Sequence, residues 1–402
     1  MHDPPFRIAL DMRGLQTRGR FRGVGNLWRE LLGSLAAIDR EHRYYLIYAQ
    51  GHASADDGID YPDNFRKIGC RVPFFPGTAS APWLWSLDSI RQSRIVRKLD
   101  ASILIDTTFA DLIFPSRPLP GIQNLIWVYD LIPWLYQDYF VKAQRLAAIK
   151  KVMLRSKLRS ATRATALITI SESTRQDIHY QTGYPLDKIT VIPLGVDPSY
   201  FSAAKKLSLE ARRALDLPDK YILFVGALDP HKNLPRALEA YAAARRRLDV
   251  PPLLVVGKVA SDLKPFEWLR VEVTRLGLDD RVHFLDWVQK ADLIALYHGA
   301  DYLLFPTLYE GFGLPALEAM AAGCPVLTSN TSSLPEVVGE CAVLVNPADT
   351  DSIASGMARL GGDPILRATL SARGQERARG FTWQRTAEIF YAFLKGMENP
   401  TQ

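Results

Sequence analysis

The sequence predicts an α/β protein built from two doubly wound domains, and three observations carry that expectation. Short aliphatic or β-branched runs alternate with longer amphipathic stretches along most of the chain, the pattern of parallel strands wrapped by helices. The alternation breaks at Pro193, where a polar and basic stretch from Asp197 to Lys220 precedes a fresh apolar strand, Tyr221 to Val225. The chain has 402 residues, which at about 150 residues per domain makes roughly two or three domains, each able to bury a core.

The first cycle of strands is read at Arg7 to Leu10, Tyr45 to Tyr48, Ser102 to Ile105, Asn124 to Val128, Ala166 to Ile170 and Thr190 to Ile192. The second begins at Tyr221 and continues through Leu253 to Val256, Arg281 to Leu285, Tyr302 to Pro306, Val326 to Ser329 and Ala342 to Val345. It closes with helices from Asp351 to Met397. The expected division is 1–197, 198–380 and a terminal segment 381–402. No short-period repeat or low-complexity segment interrupts it. Two such domains face each other across a cleft, with ligands expected where strand carboxyl ends and helix N-termini converge.

Composition excludes several classes. Hydrophobic residues make up 48% and charged residues 23%, with 26 Gly and 26 Pro, which is neither collagenous nor disordered. The net charge of +6 serves nucleic-acid binding only if it is concentrated in one patch, and no reader motif or interleaved basic and aromatic platform accompanies it. No apolar run reaches membrane-spanning length, and Met1 to Arg7 lacks a signal-peptide core, so a cytoplasmic protein is expected. Cys70, Cys324 and Cys341 are too scattered for a disulfide framework or zinc site. No metal or other cofactor is expected.

The sharpest segment runs from Phe305 to Gly323. A strand ends at Pro306, Gly311 and Gly313 permit unusual backbone angles and close approach of a ligand, and Pro315 suits the first turn of a helix. Such a helix start suits an anionic or polyhydroxyl ligand. Glu310 sits in the loop and Glu318 about one turn into the helix, so the two carboxylates can address different parts of one extended ligand. The same pattern is met by a solvated helix glutamate and a loop glutamate favoured by the helix dipole. A second segment, Phe224 to Leu234, leads from a strand through Gly226 into a helix and carries Lys232, a flexible point charge able to reach a diphosphate.

Glu310-Gly-Phe-Gly-Leu-Pro-Ala-Leu-Glu318 resembles the signature of the retaining GT-B glycosyltransferases of family 4. The resemblance implies that Glu310 lies by the donor sugar and Glu318 holds the ribose hydroxyls. It further implies that backbone amides of Gly311, Phe312, Gly313 and Leu314 contact sugar and phosphates. It places a nucleoside diphosphate sugar on Gly226, His231 and Lys232, where Ala227 and His231 stand at positions that relatives commonly fill with Arg. Val191 to Asp197 resembles the interdomain hinge, and Ile170 to Thr174 the turn before it. Phe284 to Val288 resembles the loop whose backbone meets the nucleobase, with Trp287 and Val288 beside it. Thr382-Trp383 opens a helix expected to cross back to the first domain.

In the first domain, Asp11 to Gly14 followed by Arg20 to Asn26 resembles the glycine loop under the donor phosphates, with Gly23 and Gly25 as its close-approach positions ahead of a helix at 26–38. Arg20 and Arg22 are either anion contacts or solvated loop residues. Tyr129 stands where many relatives carry a His. A tyrosine titrating near 10 is a poor base at neutrality, which fits a retaining front-face reaction in which the departing phosphate takes the proton. Asp130 is the nearest alternative base, or else orders its loop. Asp349-Thr350-Asp351 matches an Asp-x-Asp metal string but is read as a helix cap.

From Lys142 to Arg163 eight Lys or Arg and no acid interleave with Leu146, Ile149, Met153 and Leu158. This reads as a basic amphipathic helix able to meet an anionic membrane, or as a core-packed helix with a solvated basic face. Pro82 to Trp85 is a second interfacial contact, part of an acceptor groove, or ordinary packing. The reading expected of the whole is hexosyl transfer to a glycan or lipid-linked glycan in surface polysaccharide assembly. Mannose from GDP-mannose is the leading donor, and a UDP-sugar is open. A GT-B nucleotide-sugar 2-epimerase and a non-catalytic donor-binding partner are the competing readings.

Overall fold

A computed structural model describes residues 6–16, 23–54, 56–71, 91–109, 119–136, 155–202, 218–226, 229–257 and 265–397. Their strands form two sheets, each parallel throughout. The chain divides into one unit of Met1–Gly195 with Trp383–Gln402, and a second of Val196–Thr382.

In the first unit β1 (Arg7–Asp11), α1 (Gly23–Ile38), β2 (Arg43–Ala49), β3 (Phe65–Cys70), β4 (Ile103–Asp106), β5 (Gln123–Val128), β6 (Ala166–Thr169), α2 (Glu172–Thr182) and β7 (Ile189–Val191) follow in order. The sheet order is β3-β2-β1-β4-β5-β6-β7. Its central strands are buried along their length, as expected of a sheet covered on both faces. Helix α2 is fixed at both ends: the Ser171 hydroxyl accepts from the Thr174 N–H at 3.1 Å, and Gly183 closes it at φ +71°.

β3 is a strand that hydrophobic patterning does not reveal. Phe65 and Cys70, its two ends, are buried, while Arg66 and Lys67 between them are exposed. An edge strand can carry charge where a central one cannot. Helix α1 begins at Gly23 rather than at residue 26, so Gly23 and Gly25 form its first turn instead of a preceding loop. Gly25 is buried there and Gly23 exposed.

The second unit runs through β8 (Ile222–Val225), α3 (Leu234–Arg245), β9 (Leu253–Val256), α4 (Pro265–Arg275), β10 (Val282–Leu285), α5 (Lys290–Gly299) and β11 (Tyr302–Phe305). It continues with α6 (Leu314–Ala321), β12 (Val326–Ser329), α7 (Leu334–Val338), β13 (Val343–Val345), α8 (Thr350–Gly362) and α9 (Pro364–Ala378). Its sheet order is β10-β9-β8-β11-β12-β13. The core joins Ile222, Phe224, Leu304 and Leu327 of the sheet to Leu238 and Tyr241 of α3 and Met357 of α8. Asp349 caps α8, accepting from the N–H groups of Asp351 and Ser352, which is the helix-start role expected of the Asp-x-Asp string. No helix among the described residues is long and apolar enough to cross a membrane.

Helix α10 (Trp383–Gly396) belongs to the first unit. Phe390 is buried edge-on against Trp127 of β5 (5.4 Å between ring centres), and Trp127 meets Trp28 of α1 in the same way at 4.9 Å. The Thr386 hydroxyl donates to the Pro193 carbonyl at 2.8 Å, and Gln123 Nε2 donates to the Met397 carbonyl at 3.1 Å. The chain therefore passes between units twice, and the Val196 N–H bonds the Phe381 carbonyl at 3.0 Å beside both passages.

Phe390→Ala is expected to destabilise the first unit by about 3–5 kcal/mol, the cost of an emptied aromatic core site. Urea unfolding followed by tryptophan fluorescence checks it, the transition of the first unit moving to lower denaturant.

Candidate active site

In each sheet the strand order reverses once, between β1 and β4 and between β8 and β11. Connections leaving adjacent strands in opposite directions open a crevice at their carboxyl ends. In the second unit this crevice lies between the loop after β8 and the loop after β11, which hold the two sharpest sequence segments.

Those loops are stitched together. Asn233 takes the left-handed conformation at φ +61°, and its buried Nδ2 donates to the carbonyls of Pro306 at 2.9 Å and Pro347 at 2.8 Å. The Leu308 N–H donates to the His231 carbonyl at 2.7 Å. His231 is itself buried. The result is an ion pair across the crevice, with Lys232 Nζ 2.7 Å from Glu310 Oε1 and both side chains largely buried. The stem of Lys232 lies across Gly226, where an added Cβ would come within 3.3 Å of its Cδ, and its ammonium is 5.2 Å from the centre of the Phe305 ring.

Glu310 is held by its backbone. Its N–H donates to Ser332 Oγ at 3.1 Å and its carbonyl accepts from Ser333 Oγ at 3.0 Å. Ser332 sits at φ +53° to make this possible. Of the two loop glycines only Gly313 is left-handed, at φ +102°, and a Cβ there would strike Leu334 Cδ2 at 2.7 Å. Gly313 caps α6, with Pro315 in its first turn, so Gly311, Phe312, Gly313 and Leu314 form a helix entrance whose N–H groups suit an anion.

Glu318 lies about one turn further along α6. Its residue surface is partly exposed but its carboxyl group is enclosed. The Tyr297 hydroxyl of α5 donates to Oε2 at 3.1 Å, and Tyr200, from the turn Pro198–Phe201, adds a second hydroxyl. The two tyrosine rings meet edge to face at 5.9 Å. Burial pushes the Glu318 carboxyl up to about 7, against the two hydroxyls and the Lys290 charge, which pull it down. Burial also raises the neighbouring Asp197 carboxyl, but hydrogen bonds from Lys290 and Ser199 outweigh it and leave the group below its usual range. Val288 and the exposed Trp287 follow edge strand β10, two strands from β8, or about 10 Å. Patterning singles out neither Asn233 nor Tyr200, Tyr297, Ser332 and Ser333. The one sequence signal is an Asn directly after the lysine, at a turn that needs a left-handed residue.

Asp130 belongs to the other unit, and its Oδ1 accepts from the Ile132 N–H at 2.9 Å, ordering the turn after β5. Tyr129 is buried, accepting from Trp28 Nε1 at 2.5 Å and donating to the Thr107 carbonyl at 2.8 Å. The basic helix is corrected in part. Residues 155–161 are helical, but Lys157 is buried and its ammonium donates to the carbonyls of Thr108 and Phe109 at 3.0 Å each, which takes it off any membrane-facing surface. Arg155, Arg159 and Arg163 are exposed. Arg20, Arg22, Ala227, Pro82 to Trp85 and Lys142 to Met153 lie outside the described residues.

Two parallel doubly wound units, the second with this crevice, define the GT-B glycosyltransferase fold. The family models of Glycosyltransferase Family 4 and Glycosyl transferases group 1 match residues 21–200 and 207–377. Together they account for most of the chain, which belongs to this glycosyltransferase family.

Among relatives, the serotype-specific mannosyltransferase WbdA of Escherichia coli is 26% identical over 95% of this chain and 47% of its own length. The O-antigen chain mannosyltransferase B of Escherichia coli is 32% identical over 55% of this chain and 58% of its own. The MMP alpha-(1->4)-mannosyltransferase of Mycolicibacterium hassiacum is 35% identical over 57% of this chain and 53% of its own. The chain thus spans about half the length of the curated relatives it matches. Among solved structures, sucrose-phosphate synthase from Thermosynechococcus elongatus superposes with TM-score 0.74 at 22% identity, covering 98% of this chain and 100% of that one. Anabaena Alr3699/HepE in complex with UDP and glucose gives 0.71 at 18%, covering 98% and 100%.

A carboxyl group at about 7 in the fold against 4.5 in the open chain costs stability when it ionises. The contribution is intact below pH 4.5 and is lost as pH rises through 7, on the order of 3 kcal/mol in all. Glu318→Gln is therefore expected to be more stable than the parent at pH 8 and to match it at pH 4.5, read from urea midpoints at the two pH values.

Proposed function

We propose that this chain transfers a hexosyl residue from a nucleoside diphosphate sugar to a glycan or lipid-linked glycan, with retention at the anomeric carbon, in surface polysaccharide assembly. The observation that carries this is the Lys232–Glu310 pair at the switch point beside the entrance of α6, with Glu318 further along the same helix. A diphosphate placed there meets the Lys232 ammonium and the N–H groups at 311–314, while Glu310 faces the sugar and Glu318 the ribose. Gly226 and His231 line the phosphate side, and Val288 the base. GDP-mannose is the favoured donor, supported by mannosyltransferases among the relatives. The UDP complex among the fold neighbours makes a UDP-sugar the alternative.

In the reaction the anomeric carbon to phosphate-oxygen bond breaks, the bond to the acceptor oxygen forms on the same face, and the acceptor proton passes to the departing phosphate. Lys232 and the helix entrance stabilise the charge growing on that phosphate. Tyr129 is tied between Trp28 and Thr107, and Asp130 is engaged by Ile132, which supports a route without a side-chain base. Asp130 is retained as the acceptor-side residue to test. Gly23 and Gly25 start the first unit's helix at the matching sheet edge and are assigned to the donor's approach. No metal or other cofactor takes part. The protein works in the cytoplasm, its acceptor at the inner face of the membrane, where Arg155, Arg159 and Arg163 of the 142–163 segment meet anionic headgroups. Nucleic acid is not a partner.

Calorimetry against GDP, UDP, dTDP and their sugar conjugates, with and without magnesium, tests the donor. The expected result is selective, metal-independent binding of GDP and GDP-mannose; silence across the panel overturns the reading. Lys232→Ala is expected to weaken nucleoside diphosphate binding at least about tenfold with the fold intact, since a charge-assisted contact is lost. An unchanged dissociation constant would remove Lys232 from the site. Glu310→Gln is expected to lower kcat about a hundredfold or more with donor affinity nearly kept, as for loss of one transition-state electrostatic contact. Sugar epimerised at C2 in the absence of acceptor would point to an epimerase.

A further inference from the structure

Doubly wound sheets meet their ligands at the carboxyl ends of the strands, but in the first unit a cavity opens at the opposite end, where β2 and β3 begin. It holds about 250 Å³ and is lined by Arg43, Tyr45, Asp63, Asn64 and Arg66. Parallel pairing sets Tyr45 opposite Arg66, and side chains alternate between faces along a strand, so Arg43, Tyr45, Asn64 and Arg66 share one face. The other face of the same strands is packed by Tyr44 stacked on Phe65, ring centres 4.3 Å apart. Asn64 is fixed by its Nδ2, which donates to the carbonyls of Asp39 at 3.1 Å and His42 at 2.9 Å. The two arginines therefore stand on paired strands, which sets their spacing more firmly than loops would.

The charges there are unbalanced. Arg7, in register with Arg43 on β1, reaches a carboxylate of its own, Asp100, at 2.9 Å. Among the described residues the side chains of Arg43 and Arg66 have no hydrogen-bond or ion-pair partner, and Asp63 has none either. Strand rise and spacing put the two arginines about 8 Å apart at Cα, about one Debye length at physiological salt, so they repel unless an anion lies between them.

We propose that this cavity is a second ligand site, for a monosaccharide phosphate, with Arg43 and Arg66 gripping the phosphate from two strands. Guanidinium groups suit a phosphate because each offers two parallel N–H donors. The rest of the lining calls for more than a bare ion. Asp63 would repel free phosphate yet accepts readily from sugar hydroxyls, and Asn64, its nitrogen committed, offers its oxygen to the same end. Tyr45 gives a ring for the apolar face of the sugar. The volume lies just below the roughly 300–1,000 Å³ of sites for drug-sized ligands, which fits a single phosphorylated sugar.

The test is calorimetry on the full chain at pH 8, where a phosphate monoester is a dianion, with mannose 1-phosphate and mannose 6-phosphate as probes. Inorganic phosphate and phosphatidylglycerol vesicles are the comparison arms. All titrations are repeated in Lys232→Ala, which disables the crevice of the second unit. At least one mannose phosphate is expected to bind saturably, more tightly than inorganic phosphate, and to do so equally in Lys232→Ala. Arg43→Ala and Arg66→Ala, with unchanged urea midpoints, are each expected to weaken that binding at least about tenfold. Asp63→Asn is expected to lose affinity for the mannose phosphate and gain it for inorganic phosphate, a reversal that general loss of structure would not produce. In wild type, amide NMR shifts of residues 43–45 and 64–66 are expected to move with the titration, a readout that needs no variant. The proposal is overturned if neither mannose phosphate binds, if binding survives both arginine variants, or if it vanishes in Lys232→Ala. Inorganic phosphate binding as tightly as the mannose phosphates, or vesicle binding through Arg43 and Arg66 without any by a mannose phosphate, overturns it too, the latter making the cavity a lipid-headgroup contact.

Discussion

The reversal of strand order between β8 and β11 is the constraint on which the second unit depends. A continuous winding would bury both strand ends under helices on one side. The reversal sends α3 and α6 away from each other and leaves their first turns facing a shared gap. Every feature of the site then answers how two loops that begin a strand apart are kept in register. Asn233 does so from the β8 side with two carbonyls, and the His231 carbonyl does so again through Leu308. The Lys232–Glu310 pair spans what remains.

That arrangement is not the most stable use of these positions. A buried ion pair recovers in Coulomb energy little more than it loses in hydration, and apolar residues of similar volume are often as stable or more so. Glu318 is a carboxyl enclosed where ionisation is penalised. Left-handed Asn233 and Ser332 add backbone cost at the same edge. Around them, the packed sheet and the helices α3 and α8 supply the apolar burial that carries such residues. Stability given up at a site and regained in the core is the usual balance for a binding crevice.

Much of this was legible in the sequence. Central strands such as Leu253–Val256 and Tyr302–Phe305 read clearly because burial on both faces demands uninterrupted apolar residues. The edge strand Phe65–Cys70 did not, since one flank faces solvent and its charges mask the pattern. The glutamates and Lys232 stood out because glycine, proline and charge cluster there within a few residues of a strand end and a helix start. Tyr200 and Tyr297 did not, because an aromatic residue in an apolar helix reads as core until its hydroxyl is seen to point at a carboxylate. Lys157 misled for the converse reason: a lysine among basic neighbours reads as surface, whereas this one ties off two carbonyls at the end of β4.

The closing of the first unit by α10 bears on how the protein is made. Trp127 and Trp28 find Phe390 only after more than two hundred and fifty intervening residues have been translated, and at elongation rates of roughly 5–20 residues per second that is a wait of tens of seconds or less. During it the second unit, whose strands and helices are contiguous in the chain, can complete its core on the ribosome while the earlier-synthesised sheet still lacks a piece of its own. The order of folding would then run against the order of synthesis, and the nascent chain would expose an aromatic patch for chaperones to cover until its partner emerges.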